Sequence, residues 1–105
     1  MAVVMPTVKY ELHGLQFEWD DDKEVLVQRE HQIHFTEVCT VFFDENELTY
    51  EDTRFDYDEQ RFITVGFSDK ARLLVVGWTL RSDNIRLITA IKAEKSDERL
   101  YQRRC

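Results

Sequence analysis

The sequence predicts an α+β fold, an antiparallel sheet (a meander) with helices packed on one face. Three observations carry this reading. Apolar and polar residues alternate in steps of two at the start of the chain, and three further β-rich runs follow one another between residues 61 and 92. The stretch between them, residues 21–43, has helical spacing instead. Short polar clusters separate the last three runs, as hairpin turns do.

Taken in order, Val8, Tyr10 and Leu12 alternate with Lys9, Glu11 and His13, a strand with His13 on its solvent side. After Gly14 the parity flips, and Leu15, Phe17 and Trp19 alternate with Gln16 and Glu18. A glycine at a parity change marks a bulge or tight bend, so one bent strand or a tight pair ends at Trp19. Asp20 is a suitable N-cap for a helix from about Asp21 to His31, with Asp21 and Asp22 where the helix dipole favours negative charge. Gln32, Ile33 and His34 connect to a second helix, capped by Thr36. Phe35, Val38, Cys39 and Phe42 form its apolar stripe, and it stops near Phe43 and Asp44.

Leu48 to Phe55 is strand-like but acidic, and Asp56 to Gln60 reads as a turn. Arg61 to Phe67 is a strand with Phe62, Thr64 and Gly66 on one face and Ile63, Val65 and Phe67 on the other. Ser68 to Ala71 forms a loop. Leu73 to Leu80 is nearly continuous in apolar residues, which marks a central strand covered on both faces. Arg81 to Asn84 turns the chain into a last strand, Ile85 to Lys92. After the junction Ala93 to Lys95, Ser96 caps a short final helix with Asp97 and Glu98 in its first turn.

A chain of 105 residues with 43% hydrophobic content suits one domain spanning residues 1–105, with a core that needs no disulfide. Cys39 lies in an apolar stripe and reads as a small buried hydrophobe, and Cys105 is the last residue; both read as reduced thiols. Met1 to Pro6 lacks the basic and apolar segments of a signal peptide. The longest apolar run, Leu73 to Val76, is far too short to cross a bilayer. The expectation is a cytoplasmic protein with no membrane contact. The formal charge of -7 hides an asymmetry: residues 1–60 carry 4 Lys and Arg against 16 Asp and Glu, whereas residues 61–105 carry 10 against 5. One end can therefore meet a polyanion, or the two halves neutralise each other across the fold.

The sequence offers no metal-ligand cluster, nucleophile triad or phosphate loop, so no metal and no cofactor is expected. What it offers is a set of cations. Arg61 opens a strand, Arg81 closes one and Arg86 stands near the start of the next. Arg81 and Arg86 face each other across one turn, and Arg61 joins them if strand order follows sequence order. The alternative for each is a solvated or carboxylate-paired strand end. Lys23 stands near a helix start, where the dipole disfavours a cation; it either contacts phosphate or pairs with Asp20 or Glu24. His31 is a proton carrier near neutral pH or a cation suited to a helix C-terminus. His34 follows it by three positions, which is weak evidence for a metal pair. Trp19 and Trp78 read as core, and Tyr101 as either core or a base-stacking ring.

Read together, separated pieces of the chain form a constellation: Phe17-Glu18-Trp19-Asp20, Lys23, His31, Phe35, Val41-Phe42, Leu74-Val75-Val76, Thr79, Arg81, Ile85 to Ala90 and Glu98 to Tyr101. This resembles the BrnT family, the ribonuclease toxins of bacterial toxin–antitoxin pairs, over roughly Phe17 to Tyr101. The resemblance implies a RelE-like ribonuclease fold. It implies a metal-independent endoribonuclease that cleaves RNA, inhibits translation and is neutralised by a BrnA-like antitoxin. DNA would be met only through the antitoxin complex, and the assembly would be a homodimer or a toxin–antitoxin heterotetramer. Lys23, His31, Arg61, Thr79, Arg81 and Arg86 fall on family-motif positions, and Lys23, His31, Arg61, Arg81 and Arg86 are the implied catalytic set. Residues 1–16 look like an N-terminal strand extension. Where the family pattern has Asn, Lys and Gly, this chain has Val27, Glu30 and Gln32, and Ile91 replaces an Arg. Those departures define the alternative, a non-catalytic BrnT-fold protein that binds an antitoxin or other protein partner and has lost RNA cleavage.

Overall fold

In a computed structural model that describes residues 6–104, the parity flip at Gly14 becomes a hairpin. β1 (Thr7–Leu12) pairs antiparallel with β2 (Leu15–Asp20), from Thr7 opposite Asp20 to Leu12 opposite Leu15. His13 and Gly14 form the two-residue turn at φ 48° and 89°. This left-handed pair matches the right-handed twist of the strands. His13 is thus a turn residue rather than a strand residue, and its ring meets the edge of Phe43 at 5.3 Å.

α1 (Asp21–His31) follows directly, then α2 (Phe35–Thr40) and a 3₁₀ turn (Val41–Phe43). Asp20 occupies the N-cap position of α1 without a capping hydrogen bond from its side chain. Its carboxylate is engaged by Arg86 instead. Thr36 does not cap α2 either, because the helix begins at Phe35. Glu24 takes that role from the neighbouring helix: its carboxylate accepts the Phe35 N–H at 2.8 Å and the Trp19 indole N–H at 3.2 Å. Gln32 ends α1 at φ 56°, a left-handed position that glycine adopts without steric cost. It stands where the family pattern has Gly.

β3 (Leu48–Glu51), β4 (Arg61–Phe67), β5 (Leu73–Arg81) and β6 (Asn84–Lys92) form the expected antiparallel meander. The sheet as a whole is not antiparallel. Its order is β1-β2-β6-β5-β4-β3, and β2 lies parallel to β6 through Phe17 opposite Ile85 and Glu18 opposite Arg86. The two helices carry the chain from β2 to the far edge, and the meander walks back to it. A crossover of that length is what parallel pairing requires. The result is a six-stranded mixed sheet.

The helices also do not share one face. α1 and α2 cover Phe17, Trp19, Leu74, Val76, Leu87 and Ala90. α3 (Lys95–Arg104) sets Tyr101 against Ile63, Val65, Leu73 and Val75, whose side chains alternate to the opposite face. The reason lies in β5, which is apolar on both sides and needs cover on both. α3 starts one residue before Ser96. Its N-terminal turn is closed by Asp97, whose carboxylate accepts the Glu94 N–H at 2.9 Å.

Aromatic rings tie the layers together. Phe17 meets Phe42 at 5.4 Å, Phe42 meets Trp78 at 5.5 Å, and Trp78 stacks on Phe62 at 4.7 Å. Trp19 packs edge-on to Phe35 at 5.6 Å. Contacts of this kind contribute about 0.5–1.5 kcal/mol each beyond area burial. Gly66 lets the 3₁₀ turn approach the sheet, since a Cβ there would lie 2.9 Å from Val41 Cγ1. Burial pushes the Cys39 thiol up to about 12, so it packs as a small hydrophobe and is no nucleophile. The readings made for residues 1–5 and for Cys105 lie outside the described residues. Among those described, no helix is long and apolar enough to cross a membrane.

Much of the acidic excess is spent inside the fold. Asp44 accepts from the Phe67 N–H at 2.8 Å and from the Tyr101 hydroxyl at 2.6 Å. Asp52 is buried and accepts from both Arg54 Nε and Nη2 at 2.9 Å. Glu37, 4% exposed, receives the Arg72 guanidinium fork and the Ser68 hydroxyl. Arg72 holds the Glu37 carboxyl below its ordinary 4.5, against an opposing push from burial and with help from Ser68. The folded state therefore binds that proton less readily than the unfolded chain. The stability it contributes is complete above pH 4.5 and is lost as pH falls below it, through the lowered folded value. A Glu37→Gln variant should unfold with about 1.5–3 kcal/mol less free energy at pH 7. Its stability should also fall less steeply than the parent's on acidification. Urea titrations at a series of pH values measure both.

Candidate functional site

One rung of the sheet builds the site. Arg61 on β4 stands opposite Thr79 on β5, Thr79 stands opposite Arg86 on β6, and Arg86 stands opposite Glu18 on β2. Residues directly opposite one another present their side chains to the same face. Four polar side chains from four adjacent strands thus form a row. Arg81, two residues beyond Thr79, lies on the same side at the β5–β6 turn. The first turn of α1 adds Lys23. Asp20, Lys23, Glu59, Arg61, Arg81 and Arg86, with Leu87 and Ile88, line one cleft of about 140 Å³. This is below the roughly 300–1,000 Å³ of pockets that enclose small molecules. It suits a single anionic group on a longer chain.

The four cations of the cleft are held in different ways. Arg86 is the most constrained, its side chain 13% exposed, with Nη1 donating to Glu18 and Nη2 to Asp20. Asn84 donates to the other Glu18 oxygen at 3.0 Å. Burial would raise the Glu18 carboxyl, but Asn84 and Arg86 outweigh it and hold it below its ordinary value. Arg86 is therefore a carboxylate-paired strand residue, as one of the two sequence readings had it. Arg61 lies over the Tyr57 ring at 4.2 Å, a cation–π contact. Its Nη2 is 3.8 Å from Glu59, and its Nε is buried without a hydrogen-bond acceptor among the described residues. Arg81 is the open one, 54% exposed and 3.8 Å from the other Glu59 oxygen. Lys23 is exposed and pairs with neither Asp20 nor Glu24. Those two carboxylates are engaged by Arg86 and by the α2 terminus.

The convergence that the sequence left conditional on strand order is thus present, since β4, β5 and β6 are neighbours in that order. His31 is not part of it. It ends α1, eight positions after Lys23 and so about 12 Å along the helix, and its nearest ion partner is Glu30 at 3.8 Å. Thr79 is buried, and its hydroxyl donates to the Gln60 carbonyl at 2.6 Å, fixing the segment before β4. Trp19 and Tyr101 are core residues, and Trp78 is half-buried beneath Phe62. Glu59 went unnoticed in the sequence inside what read as a turn. Its one signal was its place two residues before Arg61, at a strand entrance.

The departures from the family pattern lie elsewhere. Val27 is in the core, Glu30 is exposed near His31, Gln32 ends α1, and Ile91 pairs with Val75 on β5. None of them lines the cleft.

A family model described as "Ribonuclease toxin, BrnT, of type II toxin-antitoxin system" matches residues 19–97. β1 and the first four residues of β2, Leu15 to Glu18, precede the matched region. No curated relative matches the chain.

The contrast between Arg86 and Arg81 has a measurable consequence. Arg86→Ala strands Glu18 as a buried carboxylate without its cation and should cost about 3–5 kcal/mol of stability. Arg81→Ala removes only a loose, exposed contact and should stay within about 0.5 kcal/mol of the parent. Chemical denaturation of the two variants side by side checks the pair of values.

Proposed function

The chain belongs to the BrnT family of ribonuclease toxins of type II toxin–antitoxin systems, and we propose that it is itself a metal-independent endoribonuclease acting at the Lys23–Arg61–Arg81 cleft. In this reading it cuts cytoplasmic RNA, inhibits translation and is neutralised by a BrnA-like antitoxin. Residues 1–105 act as one domain with a RelE-like ribonuclease fold. The family implies an antitoxin protein partner; a toxin–antitoxin heterotetramer and DNA contact through the antitoxin alone belong to the proposal.

The single observation that carries it is the meeting of three strand-borne arginines and a helix-borne lysine in one small cleft. RNA cleavage asks little else of a protein. The 2′-hydroxyl attacks the adjacent phosphorus, and the negative charge that develops must be stabilised. Lys23 and Arg81 are exposed donors able to reach a phosphate. Arg61 lines the cleft with its guanidinium over Tyr57, and arginine's planar fork matches phosphate oxygens. Arg86 serves by holding β2, and with it Asp20 and the start of α1, at the edge of the cleft. His31 stands too far along α1 to share in it.

The non-catalytic alternative rests on Val27, Glu30 and Ile91. Their positions outside the cleft favour the ribonuclease reading, because the cationic set is intact. The experiment is incubation of total RNA with the purified, antitoxin-free protein in the presence of a chelator, next to Arg81→Ala. The parent should fragment the RNA. The variant, folded to the same extent, should be slower by about 10²–10³-fold, the usual loss when one charge-stabilising donor is removed. Intact RNA after incubation with a well-folded parent, together with unimpeded growth of cells expressing it alone, would transfer the case to the binding module.

A further inference from the structure

We propose that Glu59 is the general base of this cleft, the group that removes the 2′-hydroxyl proton; the inference rests on the ribonuclease reading above. The cleft is lined by two carboxylates, Asp20 and Glu59. Asp20 gives its Oδ1 to Arg86. Glu18, behind it on the rung, gives one oxygen to Asn84 and the other to Arg86. Glu59 differs from both. One of its oxygens lies 3.8 Å from Arg61 Nη2 and the other 3.8 Å from Arg81 Nε. Both separations exceed hydrogen-bond length. The carboxylate is therefore centred between the two arginines while its lone pairs remain available. Its side chain is 32% exposed, open enough for a substrate hydroxyl to reach it.

The main chain that follows Glu59 is fixed from both neighbouring strands. The Gln60 carbonyl accepts the Thr79 hydroxyl at 2.6 Å, and the Arg61 carbonyl accepts the Asp52 N–H at 2.8 Å. Tyr57 lies beneath the Arg61 guanidinium. A base needs this combination of a fixed main chain and an unspent carboxylate. A phosphate bridging Arg61 and Arg81 would bring the adjacent ribose to the same place.

The step balances with water as its only other participant. Glu59 takes the proton of the 2′-hydroxyl as O2′ bonds to phosphorus. The P–O5′ bond breaks, and the departing O5′ takes a proton from solvent. The products are a 2′,3′-cyclic phosphate and a 5′-hydroxyl, and Glu59 returns its proton to water.

The test uses the full chain, a short single-stranded RNA and a pH series. Glu59→Gln preserves shape and should lower kcat by about 10²–10⁴-fold with KM little changed. It should also abolish the rise of rate on the acid side of the pH profile. Glu59→Ala should regain activity when formate is added, because a small carboxylate can occupy the vacated space. A parent that does not cleave overturns the ribonuclease reading and this assignment with it. A parent that cleaves beside a Glu59→Gln variant retaining its rate and acid limb overturns Glu59 alone. So does a loss confined to KM, or an unchanged Glu59→Ala in formate, each of which would make Glu59 a positioning partner of the arginines.

Discussion

The contact on which the rest of the molecule depends is Arg86 with Glu18 and Asp20. β2 and β6 are paired in parallel through only Phe17 with Ile85 and Glu18 with Arg86, yet this seam joins the N-terminal hairpin to the meander. A single guanidinium from β6 holds two carboxylates of β2. Such a group adds little net stability over a well-packed apolar seam, but removing one member is costly. It specifies register: a slip of one residue would turn Glu18 into the core and Trp19 out of it. It also places the start of α1, and hence Lys23, against the end of the sheet.

The cleft follows from that seam. Once β6 is fixed beside β2, the β5–β6 hairpin brings Arg81 to the same end, and the β4–β5 register brings Arg61 opposite Thr79. The cations face one another because a rung of the sheet makes them neighbours. Glu59 lies 3.8 Å from both Arg61 and Arg81, limiting the repulsion that converging guanidinium groups would otherwise create. The acidic total of the chain does not oppose an RNA-cleaving role as strongly as the sum implies. Asp44, Asp52 and Glu37 are consumed by internal hydrogen bonds, and Arg61, Arg81 and Arg86 of the basic second half reach the cleft, where Lys23 joins them.

What the sequence made legible was local. The bounds of α1 and of the three long strands followed from periodicity and caps, and Arg81 with Arg86 followed from hairpin geometry. What it hid was non-local. Asp20 reads as a cap because nothing near it says that Arg86, sixty-six residues away, will take its carboxylate. Thr36 and Ser96 are ordinary cap residues, but the helices begin earlier, at Phe35 and Lys95, and Glu24 and Asp97 accept the N–H groups of Phe35 and Glu94 instead. The parallel β2–β6 pairing has no local signature at all. The placement of α3 on the second face could have been inferred from β5, whose two apolar sides were visible. The resemblance to the BrnT family was carried by spaced motif residues and is matched by the family model over residues 19–97. His31, a motif position by resemblance, proved to stand apart from the cleft, because eight helical residues separate it from Lys23.

The most direct measurement of the central claim is a side-chain NMR titration with a single-stranded oligonucleotide whose 2′-hydroxyls are methylated, so that it binds without being cut. The account predicts that the Arg61 and Arg81 guanidinium signals and the Lys23 ammonium signal move together and saturably, while those of Arg72 and Arg54, committed to Glu37 and Asp52, stay in place. Saturable shifts confined to α3 or to the His31 end of α1, with the cleft signals unmoved, would contradict it.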